Sequence, residues 1–191
     1  MGGSGSKEMA CHKILLIGLS GSGKTTLLYQ LKLQQVVIAV PSIAFNVEKI
    51  QHADCIFEIF DVGGNLKSTW IHHYEATDAI AFVMDATNRT NLKDIKFELD
   101  LMFKDKTLDG VPLLLIANKQ DQSNPMKSEE IIRELQLNDI KDRDWHVQPC
   151  TAIQTVSEGG GLHDALVYLS DIVEKKKKAD KKKKKVKKTS K

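Results

Sequence analysis

The chain has 191 residues and is 41% hydrophobic, enough for one domain with a substantial core and too short for two. Its formal net charge of +3 hides a split: residues 175–191 hold twelve Lys and one Asp, a balance of +11, which leaves −8 on residues 1–174. An acidic body argues against a nucleic-acid-binding globule, and the longest apolar run, residues 111–117, falls far short of the roughly 20 residues needed to cross a bilayer.

Residues 1–6 (MGGSGS) are too rich in Gly and Ser to bury anything, so residues 1–11 are assigned to a flexible N-terminus. Residues 12–17 (HKILLI) form a short apolar run that ends at Gly18, a buried strand entering a glycine loop. The segment Lys24–Leu33 then places Leu27, Leu28 and Leu31 on one helical face. Residues 47–50 and 55–60 flank His52, Ala53 and Asp54 as a hairpin. Residues 79–84 and 111–117 are further apolar strands, separated by an amphipathic segment, Leu92–Phe103. A last helix carries Leu162, Leu166, Leu169 and Val173 and merges into the lysine run. This alternation predicts an α/β domain over residues 12–174, with a mostly parallel sheet covered by helices on both faces. Residues 175–191 are expected to be a disordered polybasic tail. The three cysteines, Cys11, Cys55 and Cys150, form no CxxC pair and read as reduced core thiols.

Gly18, Leu19, Ser20, Gly21, Ser22, Gly23, Lys24 and Thr25 fit G-x-x-x-x-G-K-[ST], placed between a strand and a helix as a phosphate loop requires. The glycines let backbone N–H groups turn inward around phosphates, and the helix N-terminus adds partial positive charge there, with Thr26 in its first turn. Lys24 is expected to bridge the β- and γ-phosphates, and the Thr25 hydroxyl to ligate Mg²⁺. Asp61 and Gly64 form a D-x-x-G turn after the hairpin, where the carboxylate can hold the metal's water shell and the glycine amide can reach the γ-phosphate.

Asn118, Lys119, Gln120 and Asp121 end the strand over residues 111–117. A carboxylate at Asp121 matches the N1–H and 2-amino donors of guanine, whereas adenine offers no such pair. Lys119 can lay its stem along the base, and Asn118 can tie this loop to the phosphate loop. Cys150, Thr151 and Ala152 end another short strand and can present a backbone N–H to the guanine O6. The nucleotide is therefore expected to be GTP or GDP with Mg²⁺, and an ATP-dependent phosphotransferase is disfavoured by Asp121.

With these motifs, the chain resembles an ADP-ribosylation-factor-like small GTPase over about residues 12–174. Residues 41–48 (PSIAFNVE) are similar to that family's first switch, residues 60–64 (FDVGG) to its second, and residues 70–74 (WIHHY) to the helix that follows. The resemblance implies a P-loop NTPase fold of the small GTPase type, with a six-stranded sheet. It implies that Ser42 reaches Mg²⁺ when the γ-phosphate is present, and that Phe45, Phe60 and Tyr74 belong to a surface offered to effectors. It also implies a GTP/GDP switch that acts as a monomer with an exchange factor, an activating protein and effectors, in the cytoplasm or reversibly at a membrane.

Several positions depart from the family pattern. Asn65 stands where the family carries the Gln that orients the attacking water, so the catalytic pair becomes Asn65 and Lys24. The amide is one methylene shorter, and a misplacement of about 1 Å can cost on the order of 100-fold, so slow hydrolysis is expected, or in the alternative a GTP-bound interaction scaffold that scarcely hydrolyses. The three arginines, Arg89, Arg133 and Arg143, lie outside both switch regions, so the charge for rapid hydrolysis must come from an activator. His73 replaces an aromatic residue of the effector-facing segment, while Ser20 and Ala44 replace Asp and Gly.

The ends carry two further signals. Residues 1–6 match the M-G-x-x-x-[ST] pattern for acylation of Gly2, although a flexible linker has the same composition. A single myristoyl chain binds membranes only marginally. Lysines near an anionic leaflet contribute about 1 kcal/mol each and can supply the second signal. A solvated tail, nuclear import and RNA contact remain alternative readings of the lysine run.

Overall fold

The computed structural model describes residues 9–33, 45–64, 67–154 and 159–189. Six strands, β1 (Ala10–Ile17), β2 (Phe45–His52), β3 (Cys55–Val62), β4 (Ala79–Asp85), β5 (Leu113–Asn118) and β6 (Trp145–Pro149), form one sheet in the order β2-β3-β1-β4-β5-β6. Every neighbouring pair is parallel except the β2–β3 hairpin. The helices are α1 (Lys24–Leu33), α2 (Leu92–Phe103), α3 (Ser128–Glu134) and α4 (Leu162–Thr189), with a 3₁₀ stretch over Lys67–His73.

Alternation along β1 divides the core. Ile14 and Leu16 pack with Leu27 and Leu28 of α1 and with Leu166, Leu169 and Val173 of α4. Leu15 and Ile17 turn to the other face, against Ile95 and Leu99 of α2, Ile131 of α3 and Trp70. β4 and β5 are buried on both faces, which explains why they read as unbroken apolar runs. Parallel strands of this kind put their carboxyl ends along one edge, where loops gather and ligands bind.

Five expectations need correction. The tail is not a disordered extension: α4 continues unbroken to Thr189. No Gly or Pro follows Gly161 to stop it, Lys is a good helix former, and the core-packed first half supplies the nucleus for propagation. Glu174 and Lys178 add a contact at 3.2 Å, one turn apart. At the other end, β1 already includes Ala10 and Cys11, which were assigned to the flexible N-terminus, because it runs alongside β3 as far as Cys55. Cys11 is exposed on that strand, unlike buried Cys55 and Cys150. Tyr74, expected on the effector surface, is 7% exposed and part of the core, and burial pushes its phenol up to about 12. The segment over residues 70–74 is a 3₁₀ stretch ending at His73 rather than an α-helix, and α3 was not anticipated.

Candidate nucleotide site

The predicted residues converge at the carboxyl edge of the sheet. The loop over residues 18–23 joins β1 to α1, and Lys24 and Thr25 open that helix with Thr26 beside them. Gly23 has φ +93°, and a Cβ there would collide with the Asn118 side-chain nitrogen. That close approach is used. Asn118, 2% exposed, donates from Nδ2 to the Ser22 carbonyl at 2.8 Å and accepts at Oδ1 from the Ala152 N–H at 2.9 Å. One amide therefore holds the phosphate loop, the end of β5 and the segment after β6 together, as expected for Asn118.

Lys24 is 6% exposed, and its ammonium donates to the Gly18 and Leu19 carbonyls at 2.9 and 3.0 Å. Burial lowers its pKa, while the negative charge of Asp61 opposes that shift. Asp61 is fully buried. Burial raises its pKa; hydrogen bonds from Thr25 and Asn46 and the positive charge of Lys24 pull the other way. Thr25 Oγ1 donates to Asp61 Oδ2 at 2.8 Å, so the two proposed metal-site oxygens are in direct contact. Asp61 Oδ1 and Ser22 Oγ are buried without a hydrogen-bond partner among the described residues. A carboxylate oxygen left unpaired beside a hydroxyl is costly in a dry site. A divalent cation with oxygen ligands suits that donor pair, so Thr25 and Asp61 fit Mg²⁺.

Gly64 lies directly on the phosphate loop. A Cβ there would overlap the Ser20 nitrogen and the Leu19 and Gly18 carbonyl groups, so no larger residue fits this approach. Behind it, fully buried Trp70 donates from Nε1 to the Gly63 carbonyl at 3.4 Å and meets Phe82 edge-on.

On the base side, Lys119 has φ +68°, a left-handed conformation that costs a non-glycine residue about 1 kcal/mol. Its Nζ is held by Asp85 Oδ2 at 2.6 Å. Asp85 Oδ1 accepts from the Thr87 N–H and hydroxyl at 2.9 and 2.7 Å. Burial raises the Asp85 pKa, but the Lys119 and Thr87 hydrogen bonds outweigh it and hold the carboxyl below its usual range. Asp121 is exposed in the turn after β5. The expected amide for the guanine O6 is already engaged: the Thr151 N–H donates to the Gly160 carbonyl at 2.8 Å and that of Ala152 to Asn118. A contact to O6 from these residues requires one bond to be shared or released.

Two residues of this site escaped sequence reasoning. Asp85 ends the apolar strand β4 and pairs in register with Asn118; a carboxylate closing a buried run was the available signal. Asn46 lies opposite Asp61 in the hairpin, a relation that only the register reveals. Phe60 is half-buried, with Lys13 Nζ 4.7 Å from its ring centre and His73 at 6.1 Å. Ser42, Asn65 and Gly2 lie outside the described residues, as does the side chain of Phe45. The three arginines are committed elsewhere: Arg89 to Glu130, Arg133 to Glu134, and fully buried Arg143 to Asp142 and the Leu108 carbonyl.

A parallel sheet with a phosphate loop, a D-x-x-G turn and a guanine-type carboxylate at one edge defines a P-loop protein of the small GTPase class. The model of the ADP-ribosylation factor family matches residues 4–173. ADP-ribosylation factor K of Dictyostelium discoideum is 42% identical over 166 residues, covering 86% of each chain. ADP-ribosylation factor J of the same organism is 41% identical over 174 residues, covering 90% of this chain and 89% of its own. A solved structure of the Arl6 BBS3 small GTPase from Trypanosoma brucei, with the bound nucleotide analogue GppNp, superposes with a TM-score of 0.76 at 25% identity, covering 87% of this chain and 99% of the other. The chain belongs to the ADP-ribosylation factor family. It is accordingly a GTP/GDP switch that binds its nucleotide with Mg²⁺, hydrolyses GTP, and works through exchange factors, activating proteins and effectors.

Proposed function

We propose that this switch acts at membranes in intracellular trafficking, and that its intrinsic hydrolysis is slow because Asn65 replaces the water-orienting Gln. The observation that carries the switch geometry is the apposition of the second switch to the phosphate loop, with Asp61 on Thr25 and Gly64 against Ser20. A group inserted between these segments cannot leave the second switch in place, so the γ-phosphate and Mg²⁺ are read directly by Asp61 and Gly64, with Ser42 completing the metal site. The remodelled surface is centred on Phe45 and Phe60.

Commitment of all three arginines to other contacts supports a requirement for an outside activator. Acylation of Gly2 and the lysine-rich end of α4 supply the two weak membrane signals, giving reversible peripheral attachment. Among the described residues, no helix is long and apolar enough to cross a membrane.

Single-turnover hydrolysis of bound GTP, with and without an Arf-type activating protein, tests the catalytic part. Slow hydrolysis that rises on adding the activator is the expected result. No hydrolysis in either condition favours the GTP-held scaffold instead.

A further inference from the structure

The nucleotide residues follow the carboxyl ends of β1, β3 and β5. α4 runs the opposite way. Lys175 bonds Asp144, the residue before β6, at 2.8 Å, and Lys176 Nζ reaches the Thr77 and Asp78 carbonyls, just before β4, at 3.3 and 3.4 Å. The helix therefore leaves the globule at the amino ends of the strands, the pole opposite the nucleotide. β1 starts at that same pole, where Ala10 pairs with Cys55. Both membrane signals depart from one end of the molecule.

That pole is of mixed charge, with Asp78, Asp109, Asp142 and Asp144 set among Lys141, Arg143, Lys175 and Lys176, so it offers an anionic surface no net attraction, and residues 1–174 carry −8. A floppy tail would draw these carboxylates against the surface that its lysines bind. A helix does not. Residues 175–189 add about 22 Å at 1.5 Å per residue, more than two Debye lengths of about 8 Å at physiological salt. At that distance repulsion of the acidic globule is largely screened. The N-terminal chain matches this length: the stretch from Gly2 to Ala10 can span at most about 27 Å when extended, so an acyl group on Gly2 can reach the plane at which the helix ends.

We propose that the C-terminal part of α4 is a rigid strut that docks on an anionic bilayer and holds the globule off it, with the nucleotide pole and both switches facing away. This rests on the membrane reading above and adds orientation and distance to it. The strut carries only Ala179 and Val186 as apolar residues, so it binds by charge and does not insert.

The test uses full-length protein loaded with a fluorescent guanine nucleotide, on phosphatidylserine-containing vesicles carrying an acceptor lipid. Strut and sheet together place the nucleotide about 50 Å from the surface, so energy transfer should be weak although the protein sediments with the vesicles. Ala179→Pro breaks the helix and keeps every charge. It should leave sedimentation within about threefold and raise transfer at least about twofold, because the globule then samples closer approaches. Circular dichroism should show the lost helix. Strong transfer from the native protein, or equal transfer from both proteins, overturns the strut while leaving membrane binding intact. Failure to sediment with anionic vesicles, including the case where α4 retains the protein on RNA instead, overturns both readings.

Discussion

Asp85→Asn isolates the part of the base site that the sequence did not advertise. Asn keeps an acceptor for the Thr87 N–H and hydroxyl, so the turn after β4 should survive, but it removes the charge that holds the Lys119 ammonium at 2.6 Å. A hydrogen bond to a charged group contributes about 1.5–3 kcal/mol. The side chains are 28% and 17% exposed, and an Asn oxygen still accepts weakly, so about 1–2 kcal/mol is the appropriate loss. Lys119 is the residue whose stem is proposed to support the base, and its backbone is held at positive φ. If that loss falls wholly on the bound state, GDP dissociation accelerates about 5- to 30-fold. Stopped-flow release of a fluorescent GDP measures it, and the comparison is a double-mutant cycle with Lys119→Met. In the Lys119→Met background Asp85→Asn should add almost nothing. Equal acceleration in both backgrounds would show that Asp85 acts on the loop in some other way and refute the argument. The sign with pH follows from the depressed carboxyl: this contribution is present above the unfolded value near pH 4 and is lost as pH falls through the lower folded value.

Asp121→Asn turns an acceptor toward guanine into a donor facing a donor; guanine affinity should fall by at least about tenfold in a direct titration and xanthine nucleotides should be preferred. Asp61→Asn should raise the melting temperature of the Mg²⁺-free protein by a few degrees, since it removes a fully buried carboxylate whose pKa burial has raised, while weakening Mg²⁺-dependent GTP binding; scanning calorimetry and a Mg²⁺ titration read the two effects separately. Asn65→Gln should raise single-turnover hydrolysis by about tenfold or more if reach is what limits the native amide, and an unchanged rate with and without activator would place the limit elsewhere.

The sheet and the phosphate edge were legible because their signals are local. An apolar strand, a glycine loop and a helix in succession demand few geometries, and β4 and β5 are too uniformly apolar to be anything but buried strands. What failed depended on contacts between distant segments. Tyr74, which the family resemblance placed on the effector surface, packs into the core, a burial that no local pattern around residue 74 announces. The lysine run looked incapable of order because its charges repel. α4 already stands nucleated on Leu162, Leu166 and Leu169, however, and continuing a helix costs far less than starting one. α3 has only Ile131 as a fully buried residue, too little for a period to be seen. That the Thr151 amide meets the Gly160 carbonyl could not be read from the sequence, because the two lie across a loop.

The division of the core between the two sheet faces has a consequence for how the chain is made. Synthesis proceeds from the amino end at roughly 5–20 residues per second, and β1, β3, β4 and β5 are all complete by Asn118. The face carrying Ile14, Leu16, Ala81 and Leu114 still lacks Leu162, Leu166, Leu169, Ile172 and Val173 at that stage, because α4 follows all of these strands in the chain. For several seconds a nascent sheet with one greasy side is open to solvent, to other nascent chains and to holdase chaperones. A ribosome stalled in the lysine codons would prolong that exposure, so the codons of the strut also govern how long its own core stays undressed.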